Sequence, residues 1–173
     1  MLGFALGLVS SNAMEWFVHK YVLHEMAKKK GSFWAFHWHE HHKHVRKSGG
    51  YDPMYEKPIL RTPSKVKEAI GVAAGALIAT PLLPLSPGFV AAGWLSAGAY
   101  YFMHKKAHLD PAWGGKWVPW HVDHHLGPNQ DANWCVTWPL FDWIMGTRDP
   151  YVGTEKEAQA SKAPAAQTVV AAA

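Results

Sequence analysis

The longest apolar stretch of the chain runs from Ala69 to Met103 and contains no Asp, Glu, Lys or Arg. As one helix it would extend about 50 Å, which exceeds a membrane hydrocarbon core of roughly 30 Å. Three prolines between residues 81 and 87 interrupt it. The pattern therefore predicts two membrane helices joined as a hairpin, from about residue 64 to 83 and from about 88 to 103. The alternative is a buried hairpin within a soluble helical bundle.

A second apolar stretch, from Leu2 to Val18, predicts another membrane helix before the hairpin. A hairpin returns the chain to the side it left, so His44 and His104 are expected on the same side of the membrane. Most Lys and Arg residues also belong to that side, which the positive-inside rule assigns to the cytoplasm. We expect an all-α fold: a small integral-membrane bundle of about three helices, with a cytoplasmic histidine-rich helical cap.

All twelve histidines lie in two blocks, residues 19–44 and 104–125, on either side of the apolar hairpin. Residues three and four apart share one face of a helix. This relation groups His104 with His108, His121 with His124 and His125, and His37 with His41 and His44, while His42 is adjacent. His19 and His24 are five apart, about 140° around a regular helix. A helix end or a π-bulge is needed to bring that pair together.

Clustered histidines predict a transition-metal site, because neutral imidazole is the commonest metal ligand in proteins. About ten histidines exceed the four ligands of a structural zinc, and this number favours two metal ions. Few carboxylates accompany them, which argues against the di-iron carboxylate bundles with Glu-x-x-His pairs. The non-catalytic alternative is a histidine-rich metal carrier or transporter.

Net charge and cysteine content bear on possible partners and on disulfide formation. A net charge of +4 and a pI near 9.1 are compatible with nucleic-acid binding. The segregation of charge away from the apolar stretches argues against such a partner. The single cysteine, Cys135, excludes an internal disulfide and is expected to be a small buried apolar residue. We expect residues 1–152 to form the metal-binding domain and residues 153–173 to be a disordered Ala-rich tail.

The order of the histidine motifs resembles the fatty acid hydroxylase and sterol desaturase superfamily over about residues 10 to 150. These motifs are H-x4-H at residues 19–24, an HH-bearing block at residues 37–42, H-x3-H at residues 104–108 and H-x2-HH at residues 121–125. The segment EWFVHKYVLHE is also similar to the beta-carotene hydroxylases, and DANWCVTWPLFDWIMGT resembles the superfamily's C-terminal motif. Two departures stand out. Trp38 occupies a position where relatives have histidine, so His37 or His39 must be the ligand in its place. His37 is favoured because it shares a helical face with His41 and His44. Cys135 stands where Gly is usual.

The resemblance implies a membrane di-iron oxygenase. The implied metal ligands are His19, His24, His37, His41, His42, His104, His108, His121, His124 and His125. Asp123 and Asn133 are candidates for holding the ring N–H of a ligand histidine, and the alternative for both is a loop or cap role. Asp142 and Arg148 are expected to stabilise the C-terminal fold.

The implied reaction is O2- and reductant-dependent hydroxylation of an unactivated C–H bond in a lipid from the bilayer, either a fatty acyl chain or a sterol-like molecule. Desaturation, or hydroxylation of a carotenoid β-ring, is the alternative within the same chemistry. The implied cofactor is two iron ions, with zinc as a competitor during purification. Electrons are expected from a separate donor, a ferredoxin or a b-type cytochrome with its reductase.

Overall fold

A computed structural model describes residues 1–162, and over that range the chain forms helices and no strand. The all-α prediction is therefore confirmed for this part of the chain. The α-helices are α1 (Leu2–Phe17), α2 (Lys43–Lys47), α3 (Pro63–Leu77), α4 (Pro87–Leu109), α5 (Pro111–Trp117), α6 (Pro119–Leu126), α7 (Leu140–Ile144) and α8 (Glu155–Lys162). Two π-helices span Val18–Met26 and His37–His42, and short 3-10 helices span Pro53–Glu56, Ile59–Arg61 and Thr80–Leu82.

The predicted helices differ from the observed ones at their ends. Helix α3 ends at Leu77 rather than near residue 83, because Pro81 has no N–H to donate to the Leu77 carbonyl, and the 3-10 helix Thr80–Leu82 follows. Helix α4 continues beyond residue 103 to Leu109 and stops before Pro111, so its last turns carry the H-x3-H motif of His104 and His108. None of the helices in residues 1–162 combines the length and the apolar character that a crossing of the membrane requires.

Helices α1 and α4 pack side by side and run in the same direction. A β-carbon at Gly3 would lie 2.6 Å from Ser86 Oγ, and one at Gly7 would lie 2.7 Å from the Ala92 β-carbon. Both helices therefore begin at one end of the bundle, as the hairpin topology predicted. Their other ends carry histidines and meet at the opposite end.

The contact at Gly7 leaves no room for a side chain. Gly7→Ala would place a methyl group 2.6 Å from the Phe89 carbonyl oxygen, which is backbone and cannot rotate away. We expect the substitution to lower the free energy of unfolding by about 1–3 kcal/mol, the usual cost of overpacking. The control is Gly93→Ala in α4, where no atom lies within 4 Å of the new methyl group. The control should be neutral or stabilising in thermal unfolding, and equal melting temperatures for the two variants would contradict the packing described.

The segment from residue 131 to 152 folds back over α1. Asn12 donates a hydrogen bond to the Trp138 carbonyl (2.9 Å) and accepts one from the Phe141 N–H (3.0 Å). Cys135 is fully buried against Trp16 and other aromatic side chains, which confirms its predicted apolar role. The return of this segment brings its backbone carbonyls to the histidine motifs.

The start of the Ala-rich tail differs from the prediction of disorder from residue 153 onward. Glu155–Lys162 forms helix α8, and its acidic first turn suits the positive end of the helix dipole. The rest of the predicted tail, residues 163–173, lies outside the described residues.

Candidate metal centre

The structure brings all ten predicted ligand histidines together in the interior. Each of them is at most 3% exposed: His19, His24, His37, His41, His42, His104, His108, His121, His124 and His125. The other two histidines stay outside. His39 is half-buried, with its Nε2 3.1 Å from the Lys28 carbonyl oxygen, and His44 is exposed. Of the two candidates next to Trp38, the structure therefore places His37 in the cluster and His39 outside it.

Two π-helices orient the first block of histidines. In a π-helix the backbone bonds join residues five apart, so such residues lie one above the other. His19 and His24 sit in the first π-helix, and their ring centroids are 5.2 Å apart. This agrees with the expectation of a π-bulge for that pair. The second π-helix, which was not predicted, turns His37 and His42 toward each other as well.

The ring nitrogens form two adjacent groups. The five-histidine group contains His19, His24, His37, His42 and His124, and the four-histidine group contains His41, His104, His108 and His125. Within each group the available nitrogens lie within 4.8 Å of one another. His121 belongs to neither group by that distance, but its Nε2 is 3.0 Å from His108 Nε2. The groups touch where the His42 and His125 ring centroids are 4.3 Å apart.

Most of these rings have Nδ1 committed to an oxygen acceptor. The pairs are His19 with the Trp134 carbonyl, His42 with Gln130 Oε1, His124 with the Ala132 carbonyl, His41 with Asp52, His104 with Glu68 and His108 with the Gly50 carbonyl. A neutral imidazole that donates from Nδ1 carries its lone pair on Nε2. For these six rings the fold therefore fixes both the tautomer and the direction in which the Nε2 lone pair points.

The Nε2 atoms face each other at short range. Those of His24, His42 and His124 form a triangle with sides of 3.1, 3.1 and 3.2 Å. The Nε2 lone pairs of His42 and His124 cannot satisfy each other, because both rings donate from Nδ1 to an oxygen, so the arrangement suits a cation. Two nitrogens bonded to one ion at about 2.0–2.1 Å lie roughly 3.0–3.4 Å apart, which matches these separations. In the four-histidine group, His41 Nε2 and His104 Nε2 are buried without a hydrogen-bond partner.

Burial also sets the charge state of the rings. In α6, burial lowers the pKa of His121, His124 and His125 well below the usual value, and the neighbouring imidazoles lower it further. These side chains are therefore neutral near pH 7. The neutral form is the one that binds metals, so the donor set fits transition-metal ions.

Asp123 and Asn133 do not hold a ligand histidine, and that prediction is wrong. Asp123 pairs with Arg148 at 2.7 Å and accepts hydrogen bonds from the backbone N–H groups of residues 151 and 152. Asn133 accepts from Arg148 at 2.7 Å and from the backbone N–H of residue 149. Neighbouring residues on a helix point about 100° apart, so Asp123 faces away from the direction of His124. The roles predicted for Asp142 and Arg148 in the C-terminal fold are confirmed.

We expect Asp123→Asn to lower stability without changing metal content. The substitution breaks a buried ion pair with Arg148, which typically costs about 3–5 kcal/mol when only one partner is removed. No histidine loses a hydrogen bond. The matched control is Asp149→Asn, which removes a surface pair with Lys156 in the same segment. Elemental analysis and thermal unfolding measure both effects, and loss of metal in folded Asp123→Asn protein would contradict the assignment.

The partners that do contact the histidines were not identified from the sequence. Asp52 is only 3% exposed and Glu68 only 9% exposed, and each bonds a ring nitrogen of the four-histidine group. Glu68 could have been singled out from the sequence, since it is the last acidic residue before the long apolar stretch. Asp52 resembles an ordinary turn residue ahead of a proline. The backbone carbonyls of Gly50, Ala132 and Trp134 carry no sequence signal.

No family model, curated protein or solved structure matches the chain. The chain is helical over residues 1–162 and has buried histidine groups that can hold metal ions.

Proposed function

We propose that this chain is a membrane-bound di-iron oxygenase that uses O2 and a reductant to hydroxylate an unactivated C–H bond of a lipid. The observation that carries the proposal is the convergence of ten buried histidines, drawn from four sequence motifs, at one place in the interior. Nine of them form two adjacent groups, and His121 lies beside the four-histidine group. The substrate class is a fatty acyl chain or a sterol-like molecule. This class follows from the motif resemblance and not from a bound ligand.

Two ions account for the donor set better than one. Five and four histidine nitrogens in separate groups exceed the six positions of a single octahedral ion. Five donors in one group also exceed the four of a structural zinc site, which favours iron. When bound, the iron pair would supply the activation of O2 and the removal of a hydrogen atom from the substrate.

The chain itself holds the histidine rings in position and shields the metal centre from water. Oxygen acceptors on Nδ1 hold the rings in place before any ion arrives, so little reorganisation accompanies binding. The histidines are nearly excluded from solvent, which protects a reactive centre from side reactions with water. These are the roles that a protein has when a cofactor carries the chemistry.

Exposed apolar surface supports a location in the membrane. Large apolar side chains of α1, α3 and α4 are more than half exposed, including Leu6 at 53%, Leu77 at 60%, Leu95 at 57% and Phe102 at 63%. Extensive exposed apolar surface is typical of contact with lipid or with another protein. We propose that lipid covers it, with the histidine groups toward the cytoplasmic side and electrons delivered by a separate ferredoxin or b-type cytochrome.

The test is oxygen incorporation by the iron-loaded full chain in lipid vesicles, supplied with a reductant, an electron carrier and 18O2. We expect O2 consumption and a lipid product that carries one 18O atom, and neither with His124→Ala. A product with a new double bond and no label would indicate desaturation. Labelled carotenoid after expression in carotenoid-producing cells would indicate the β-ring alternative. Bound metal without O2 consumption would contradict the proposal and favour a metal carrier.

A further inference from the structure

The two histidine groups differ in the charge of the atoms that support them. In the four-histidine group, Asp52 Oδ2 is 3.0 Å from His41 Nδ1, and Glu68 Oε1 is 2.9 Å from His104 Nδ1. Both carboxylates are buried. The third support there, at His108, is the Gly50 carbonyl. This group therefore has two anionic supports.

The five-histidine group is held by neutral oxygens. His19 and His124 donate to backbone carbonyls, and His42 is 3.3 Å from the amide oxygen of Gln130. One carboxylate, that of Asp131, lies 3.7 Å from His24 Nδ1. Its side chain is 56% exposed and is paired with Lys28 at 3.0 Å, so water and that ammonium screen its charge.

The negative charge beside the four-histidine group is only partly compensated. Lys65 is buried nearby, but its ammonium donates to the carbonyl oxygens of Tyr55 and Lys57 and forms no direct ion pair with either carboxylate. The second oxygen of Glu68 is buried with no hydrogen-bond partner. Among the described residues, neither buried carboxylate therefore has an ammonium group as a direct ion-pair partner. An uncompensated buried charge is costly, and a nearby metal cation would offset it.

We propose that the four-histidine group is the tighter of the two metal positions, filled first and emptied last. A carboxylate on the far nitrogen makes an imidazole a stronger donor, and a buried anion attracts the ion across a medium of low dielectric. The five-histidine group has more nitrogens but no comparable anion. The inference rests on the proposed dinuclear function and adds to it an order of loading set by Asp52 and Glu68.

The test is an equilibrium titration of the metal-free full chain in detergent with Co²⁺ against a competing chelator. The wild type should bind in two steps. Glu68→Gln and Asp52→Asn keep the shape of the side chain and remove its charge, and each should weaken the tight step about 10–100-fold. The weak step should not change. Asp131→Asn is the control for an exposed carboxylate and should leave both steps unchanged.

A reciprocal variant keeps the inference testable if the charge-removing variants fail to fold. Gln130→Glu places a carboxylate beside His42 in the five-histidine group. It should therefore raise the affinity of the weaker binding step and reduce the difference in affinity between the two steps. The inference is overturned if Gln130→Glu leaves the weak step unchanged, or if folded Glu68→Gln loses affinity only in that step. Binding of a single ion would instead overturn the dinuclear function. The same variants would still locate that ion, through its dependence on Glu68 or on Gln130.

Discussion

Replacing His124 with alanine should empty the five-histidine group and abolish oxygen chemistry. His124 is fully buried, and its Nε2 lies 3.1 Å from His24 Nε2 and 3.2 Å from His42 Nε2. The loss of a ligand should exceed the 10–100-fold effect typical of a residue that only supports one, so affinity should fall by more than about 100-fold. We therefore expect metal content to drop from two ions to one.

The controls for His124→Ala are His44→Ala and His39→Ala. His44 is exposed, and His39 contacts the Lys28 carbonyl instead of the cluster. Both variants should retain two ions and full oxygen consumption, measured by elemental analysis and an oxygen electrode. Two ions in His124→Ala, or loss of an ion in His44→Ala, would show that the metal binds elsewhere.

Asp142→Ala should be strongly destabilising although it lies outside the histidine groups. Its buried carboxylate accepts hydrogen bonds from the backbone N–H groups of Trp134 (2.8 Å) and Cys135 (2.9 Å) and from the Thr147 hydroxyl (2.8 Å). Each donor left buried without a partner costs about 1–3 kcal/mol, so the total should be roughly 3 kcal/mol or more.

The same substitution should weaken metal binding indirectly. Asp142 fixes the segment whose carbonyls, at Ala132 and Trp134, hold the rings of His124 and His19. We expect about a 10–100-fold loss of affinity in the five-histidine group, and none in the other. Asp131→Asn, in the same segment but exposed, is the control for denaturant unfolding and metal titration. A stable Asp142→Ala chain with unchanged metal affinity would refute the role given to this carboxylate.

The sequence was most informative where histidines lie on regular helices. His104 and His108 in α4, and the three histidines of α6, are placed together by the four-residue and three-residue spacings alone. Helical geometry also favoured His37 over His39. These relations are local, so the chain's spacing determines them without knowledge of its neighbours.

The parts that could not be predicted depend on contacts between distant segments. Glu68 contacts His104, which is 36 residues away in the sequence, and the Trp134 carbonyl contacts His19, which is 115 residues away. Backbone carbonyls look alike in every sequence, so nothing marks the ones that hold a ring. Asp123 was misassigned because proximity to His124 along the chain does not imply proximity of the side chains on a helix. The second π-helix was missed for a similar reason, since tertiary packing at the cluster overrides the local helical pattern.

The central claim is that the histidines form two metal positions in one chain. The most direct measurement is the metal content of iron-loaded protein purified in detergent, beside a variant with His121, His124 and His125 all changed to alanine. The variant removes ligands from both groups, because His124 belongs to one and His125 to the other. Two ions per chain, both lost in the variant, is the predicted result. One ion or none in the wild type would contradict the dinuclear centre and the oxygen chemistry assigned to it.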